Sequence, residues 1–107
     1  MSKNEEFRDY VLDQLGGLED LVCKRMFGGY GLYNGEVFFA IIHKSCIYFK
    51  TDDESRELYE ARGMGPFRPD AKQTLKTYYE VPAEILEESD ELLRWARRAI
   101  ISQNREM

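Results

Sequence analysis

The sequence predicts an α+β fold, a two-layer α/β domain with an antiparallel sheet and the element order α-β-β-β-α-β-β-α. Three observations predict it. Apolar residues recur at helical spacing at both ends of the chain, as in Phe7, Tyr10, Val11 and Leu15. Between them, segments alternate with period two or run apolar for six residues, punctuated by glycine and an Asn34-Gly35 pair. The length, 107 residues, fits one domain, residues 1–107, with a single core.

The elements follow in order. Ser2 with Glu5 reads as a capping box opening a helix over about residues 4–15, and Gly16-Gly17 as its left-handed stop. Val22 to Phe27 alternates and reads as extended; Gly28-Gly29 interrupts it like a bulge, and Tyr30-Gly31-Leu32-Tyr33 continues. Asn34-Gly35 turns into Val37-Phe38-Phe39-Ala40-Ile41-Ile42, which is apolar on both faces. His43-Lys44-Ser45 turns back into Cys46 to Lys50. Thr51 with Glu54 reads as a second capping box, for a short helix that Gly63 ends. Gly65, Pro66 and Pro69 predict a loop holding a short edge strand, and Thr74 to Val81 alternates as a strand that Pro82 stops. The last helix spans about Asp90 to Gln103, with Leu92, Leu93, Ala96, Ala99 and Ile100 inward. Trp95 lies at the margin of that stripe and is expected largely buried against the sheet.

Composition limits the function classes. The chain is 43% hydrophobic, has no apolar run long enough for a membrane span, and opens on an acidic stretch unlike a signal peptide. A cytoplasmic, non-membrane domain is therefore expected, with Cys23 and Cys46 reduced rather than paired. A net charge of −5 argues against a domain whose main task is neutralising phosphates. The charge is uneven, though: residues 1–20 sum to −4, residues 21–50 to +3 and residues 51–107 to −4.

Catalytic and cofactor motifs do not assemble. His43-x-x-Cys46 has ligand spacing, but structural zinc wants four ligands, so no metal is expected and His43 reads as an exposed turn residue. Nucleophilic catalysis needs a base held beside Cys or Ser, and the single histidine sits in a turn. Gly29-x-Gly31 begins like a dinucleotide fingerprint, but Asn34 stands where the third glycine belongs. No cofactor and no enzymatic activity are expected. The sheet is more informative. With Ile47, Phe49, Leu75, Tyr79 and Val81 turned to the helices, Cys46, Tyr48, Lys50, Lys76, Tyr78 and Glu80 face away. Tyrosine mixed with charge beside an apolar strand is the composition of an interface, self-complementary or for another protein. The competing reading is a wet face, or one wrapped by a helix. Arg25, Tyr30 and Tyr33 extend the candidate surface. The same aromatic and basic residues, Tyr30, Tyr33, Tyr48 and Tyr78 with Arg25 and Lys50, also fit single-stranded nucleic acid.

A resemblance runs through these residues. Arg25-Met26-Phe27-Gly28-Gly29-Tyr30-Gly31-Leu32-Tyr33, then Gly35, Phe39-Ala40 and Tyr48-Phe49-Lys50, resemble the N-terminal domain of the TfoX (Sxy) competence-regulator family. Pro66-Phe67, Tyr78-Tyr79-Glu80-Val81-Pro82 and Trp95 continue it, over about residues 7–101. The resemblance implies a two-layer α/β fold shared with secretion-chaperone-like domains, and no catalytic residues. It also implies a role in bacterial transcription of DNA-uptake genes, exerted through a partner transcription factor. The C-terminal TfoX domain is expected to be absent, and a homodimer is expected.

Overall fold

The computed structural model describes residues 3–26 and 28–105, the last of these by its backbone only. The expectations placed on Ser2 and Phe27 lie outside the described residues. Among the described residues the order is α1 (Lys3–Gln14), β1 (Leu21–Met26), β2 (Gly29–Asn34), β3 (Val37–His43), β4 (Cys46–Lys50), α2 (Asp53–Glu60), β5 (Pro66–Asp70), β6 (Gln73–Glu80), α3 (Ala83–Leu86) and α4 (Ser89–Arg105). The α+β class and the antiparallel sheet are as expected from sequence. The order contains one strand and one short helix more than expected.

The extra strand comes from the glycines. Gly28 takes φ +75°, and Met26 pairs with Gly29, so the segment turns back on itself where a bulged single strand was expected. Six strands then form one sheet in the order β1-β2-β3-β4-β6-β5, antiparallel throughout. Gly29 is fixed by proximity: a Cβ there would lie 2.0 Å from the Ile42 carbonyl oxygen. The Asn34-Gly35 signal does mark a hairpin, with Asn34 paired to Val37 and Gly35 at φ +62°.

The helices cover one face of this sheet. Val11 and Leu15 of α1 and Leu92, Ala96 and Ala99 of α4 meet Leu32, Phe39, Ala40, Ile42, Ile47 and Phe49 in the main core. Burial of these side chains supplies most of the drive to fold, at roughly 1.5–3 kcal/mol for each large one.

Several local expectations are corrected by packing. Gly16 and Gly17 are not left-handed; α1 ends at Gln14, and a Cβ at Gly17 would come 2.8 Å from Leu93 Cδ1, so Gly17 lets α4 approach. The cap of α2 is Asp52 with Ser55 rather than Thr51 with Glu54: the Ser55 amide donates to Asp52 Oδ1 at 2.8 Å and the Asp52 amide to Ser55 Oγ at 3.0 Å. Thr51 is buried, its hydroxyl donating to the Thr77 carbonyl. Gly63, at φ +78°, does end α2. Trp95 is only half-buried and docks on α2, with its ring 4.7 Å from that of Tyr59 and the Arg62 guanidinium 5.6 Å from its centre.

Candidate interaction face

The face of the sheet away from the helices is curved inward, and two bulges shape it. Between β2 and β3, Leu32 pairs with Ala40 and Tyr33 with Phe38, leaving Phe39 as the extra residue. Phe39 and Ala40 therefore both join the helix-side core, while Phe38 and Ile41 turn outward. That is how an apolar run satisfies both faces. Between β5 and β6, Pro66 pairs with Tyr79 but Phe67 with Leu75, so β6 carries three surplus residues there. The parity of β6 resets across them. Leu75, expected under the helices, stands on the outer face opposite Phe67 and is 40% exposed.

Curvature folds Phe67 back over the sheet, its ring centre 4.6 Å from Tyr48 on β4 and 5.2 Å from His43 on β3. A second row of rings crosses the other end of the face, Tyr33 to Phe38 at 5.1 Å and Phe38 to Tyr78 at 5.6 Å. The ammonium of Lys24 lies 4.9 Å from the Tyr33 ring, and that of Lys50 lies 5.6 Å from the Tyr78 ring. Gly31 makes room for this row, since a Cβ there would meet Met26 Sδ at 2.8 Å and Phe38 Cε1 at 3.0 Å. Beside the first row, against Phe67 and His43, opens a hollow of about 550 Å³, walled by Met26, Ile41, Phe67 and Leu75 and edged by His43, Asp70 and Gln73. Residues of both edge strands line it, which a flat sheet would not allow.

The structure divides the residues expected to form one surface. Tyr33, Tyr48, Lys50, Tyr78 and Glu80 lie on the outer face, with Tyr48 paired to Glu80 and Lys50 to Tyr78. Lys50 and Tyr78 are nonetheless buried, at 5% and 8% exposure, and the Lys50 ammonium donates to Thr77 Oγ1 at 3.0 Å. Lys76 is exposed within the bulged stretch of β6. Tyr30 belongs to the helix-side core, and Arg25, its pairing partner, lies beside it with a guanidinium 6.0 Å from the ring. The hollow itself, walled by Met26, Ile41, Phe67 and Leu75, was not read as a surface from sequence. Its one legible signal was the strand apolar on both sides.

The titratable groups of this face are shifted by burial toward their neutral forms. Burial, with Cys46 and Glu80 beside it, pushes the Tyr48 phenol up to about 12. Burial, with Glu80 nearby, also pushes the Cys46 thiol up, so it stays protonated and weakly nucleophilic at neutral pH. Burial and the neighbouring Lys44 hold His43 below its ordinary value. His43 ends β3 as a half-buried residue packed on Phe67, not the exposed turn residue expected; the turn is Lys44-Ser45, at φ 49° and 60°. Cys23 and Cys46 are free. Among the described residues no group of three or more His, Cys, Asp or Glu could hold a metal ion, and no helix is long and apolar enough to cross a membrane.

These features define an α+β domain with one sheet face sealed by helices and the other open around an apolar hollow. Residues 13–102 match the TfoX N-terminal domain, and the chain belongs to that family. It is not a known enzyme family. No curated protein matches the chain.

Proposed function

We propose that this is a non-enzymatic, cytoplasmic protein-interaction domain that regulates transcription, in the manner the TfoX resemblance implies for DNA-uptake genes, by holding a partner protein on its open sheet face. One observation carries this reading: the apolar hollow walled by Met26, Ile41, Phe67 and Leu75 has a polar rim and, among the described residues, no helix over it. An apolar floor inside a rim of His43, Asp70 and Gln73 has the composition of an interface core. The occupant that fits is an apolar anchor side chain on a segment of a transcription factor, since an apolar floor ringed by polar groups is where such anchors seat. Single-stranded nucleic acid fits less well. Tyr30 and Arg25 lie on the helix side, and the Tyr78 ring is covered, so stacking platforms are few.

The test places a photo-crosslinking amino acid at position 75, with position 87 on the helix side as control. Adducts to a transcription factor from position 75 alone, abolished when Leu75→Asp protein is probed from position 73, support the reading. Equal adducts from both positions, or transcription of DNA-uptake genes unchanged by Leu75→Asp, overturn it.

A further inference from the structure

The two edges of the sheet are built differently, and the difference points to a partner. Edge strand β5 is protected: Pro66 and Pro69 lack amide donors, and its pairing with β6 breaks register twice. Edge strand β1 has no such protection. It runs six residues in unbroken register with β2, contains no proline, and leaves Val22 38% exposed. The Asp20 carbonyl accepts from the Gly35 amide on the β2 side. By strand alternation the amides and carbonyls of Leu21, Cys23 and Arg25 then point to the open edge.

The sequence of this edge, with the two turn residues that lead into it, is a charge palindrome centred on Val22: Glu19-Asp20-Leu21-Val22-Cys23-Lys24-Arg25. Glu19, Asp20, Lys24 and Arg25 are all exposed, and none forms an ion pair among the described residues. A second copy laid antiparallel about a two-fold axis through Val22 would bring Asp20 opposite Lys24 and Glu19 opposite Arg25, each twice. Leu21 would oppose Cys23 in a hydrogen-bonded pair, and Val22 would oppose Val22 in the closer, non-hydrogen-bonded one. Shifting the register to centre on Lys24 would set two lysines face to face, which disfavours it.

We infer that β1 is a self-association edge: two copies of this chain join β1 to β1 antiparallel, in the register centred on Val22, into one continuous sheet with both open faces on the same side. A single strand pair is a small interface, so the dimer is of the weak, concentration-dependent class. It does not depend on the function proposed above for the open face.

Charge reversal tests it by sedimentation equilibrium. One variant carries Glu19→Lys and Asp20→Lys, the other Lys24→Glu and Arg25→Glu. Each alone should weaken self-association by more than about tenfold, since four favourable cross-strand pairs become four repulsive ones. An equimolar mixture should recover wild-type affinity as a heterodimer. Register is read separately, in a Cys23→Ser, Cys46→Ser background. Val22→Cys should form a disulfide-linked dimer under mild oxidation, and Lys24→Cys should not. A wild type that stays monomeric at high concentration, variants that associate as well as wild type, or equal crosslinking at 22 and 24 would each overturn the inference. Circular dichroism verifies folding of every variant, and the crosslinking result stands alone if a charge variant fails to fold.

Discussion

The two faces of this sheet solve the same problem by different means. On the covered face, Phe39, Leu32, Ile42, Ile47 and Phe49 are sealed under α1 and α4 at essentially zero exposure. On the open face, side chains cover one another: Phe67 folds over Tyr48 and His43, and Tyr33, Phe38 and Tyr78 form a row. The first arrangement leaves nothing for a partner to add. The second keeps the sheet dry with few residues and leaves a hollow edged by Leu75, still 40% exposed. Burial is thus concentrated on one side, and the exposed apolar surface lies on the other.

Core truncation breaks the comparison most sharply. Phe49→Ala should cost about 3–5 kcal/mol, because the ring is fully buried and its surroundings cannot collapse around the void. Leu75→Asp on the open face should stay within about 0.5 kcal/mol, as exposed positions do. Urea unfolding of both variants measures this, and equal losses would mean that the open face is a second core.

The turn glycines sharpen it next. Gly29→Ala should cost about 3 kcal/mol, because the new methyl would collide with the Ile42 carbonyl and push β2 from β3. Gly28→Ala meets no atom within 4 Å and should cost only about 1–2 kcal/mol, the strain of a left-handed alanine. Thermal unfolding of the pair should rank Gly28→Ala as the milder change.

A pH-dependent effect belongs to the α2 cap, where the helix layer is tied to itself. Asp52 receives the Ser55 amide, the Ser102 hydroxyl at 3.0 Å and the Arg98 guanidinium at 2.9 Å. Burial pushes its carboxyl up, but these hydrogen bonds and Arg98 together outweigh burial and hold it below the ordinary value. A lowered carboxylate stabilises the fold above its unfolded value, roughly pH 4, and that contribution is lost as pH falls through the lower folded value. Asp52→Ala should therefore cost about 1–2 kcal/mol at neutral pH. The gap from wild type should close as pH drops below about 4 in urea titrations; a gap constant with pH would mean that the charge plays no part.

Much of the fold was legible because its signals are local. Helical spacing placed α1 and α4, Asn34-Gly35 placed a hairpin, and Gly63 ended α2, each from residues within a few positions of one another. The candidate site was legible only in part. Tyr48, Tyr78 and Glu80 were placed on the open face by alternation along β4 and β6, and that face is where they lie. Leu75 broke the same rule because three surplus residues in β6 reset its parity.

By itself, then, the sequence determined the α+β class, the antiparallel sheet and the Asn34-Gly35 hairpin, while the turn at Gly28 between β1 and β2 was read only as a bulge. Only the tertiary structure decided that Phe39 shares the helix-side core with Ala40, that Tyr30 and Arg25 leave the open face, and that Trp95 docks on α2 rather than on the sheet. The physical reason is the same in each case. Alternation and helical period are properties of one segment, whereas a bulge, a strand's curl and a helix's docking angle are settled between segments, by which neighbouring backbone and side chains leave room.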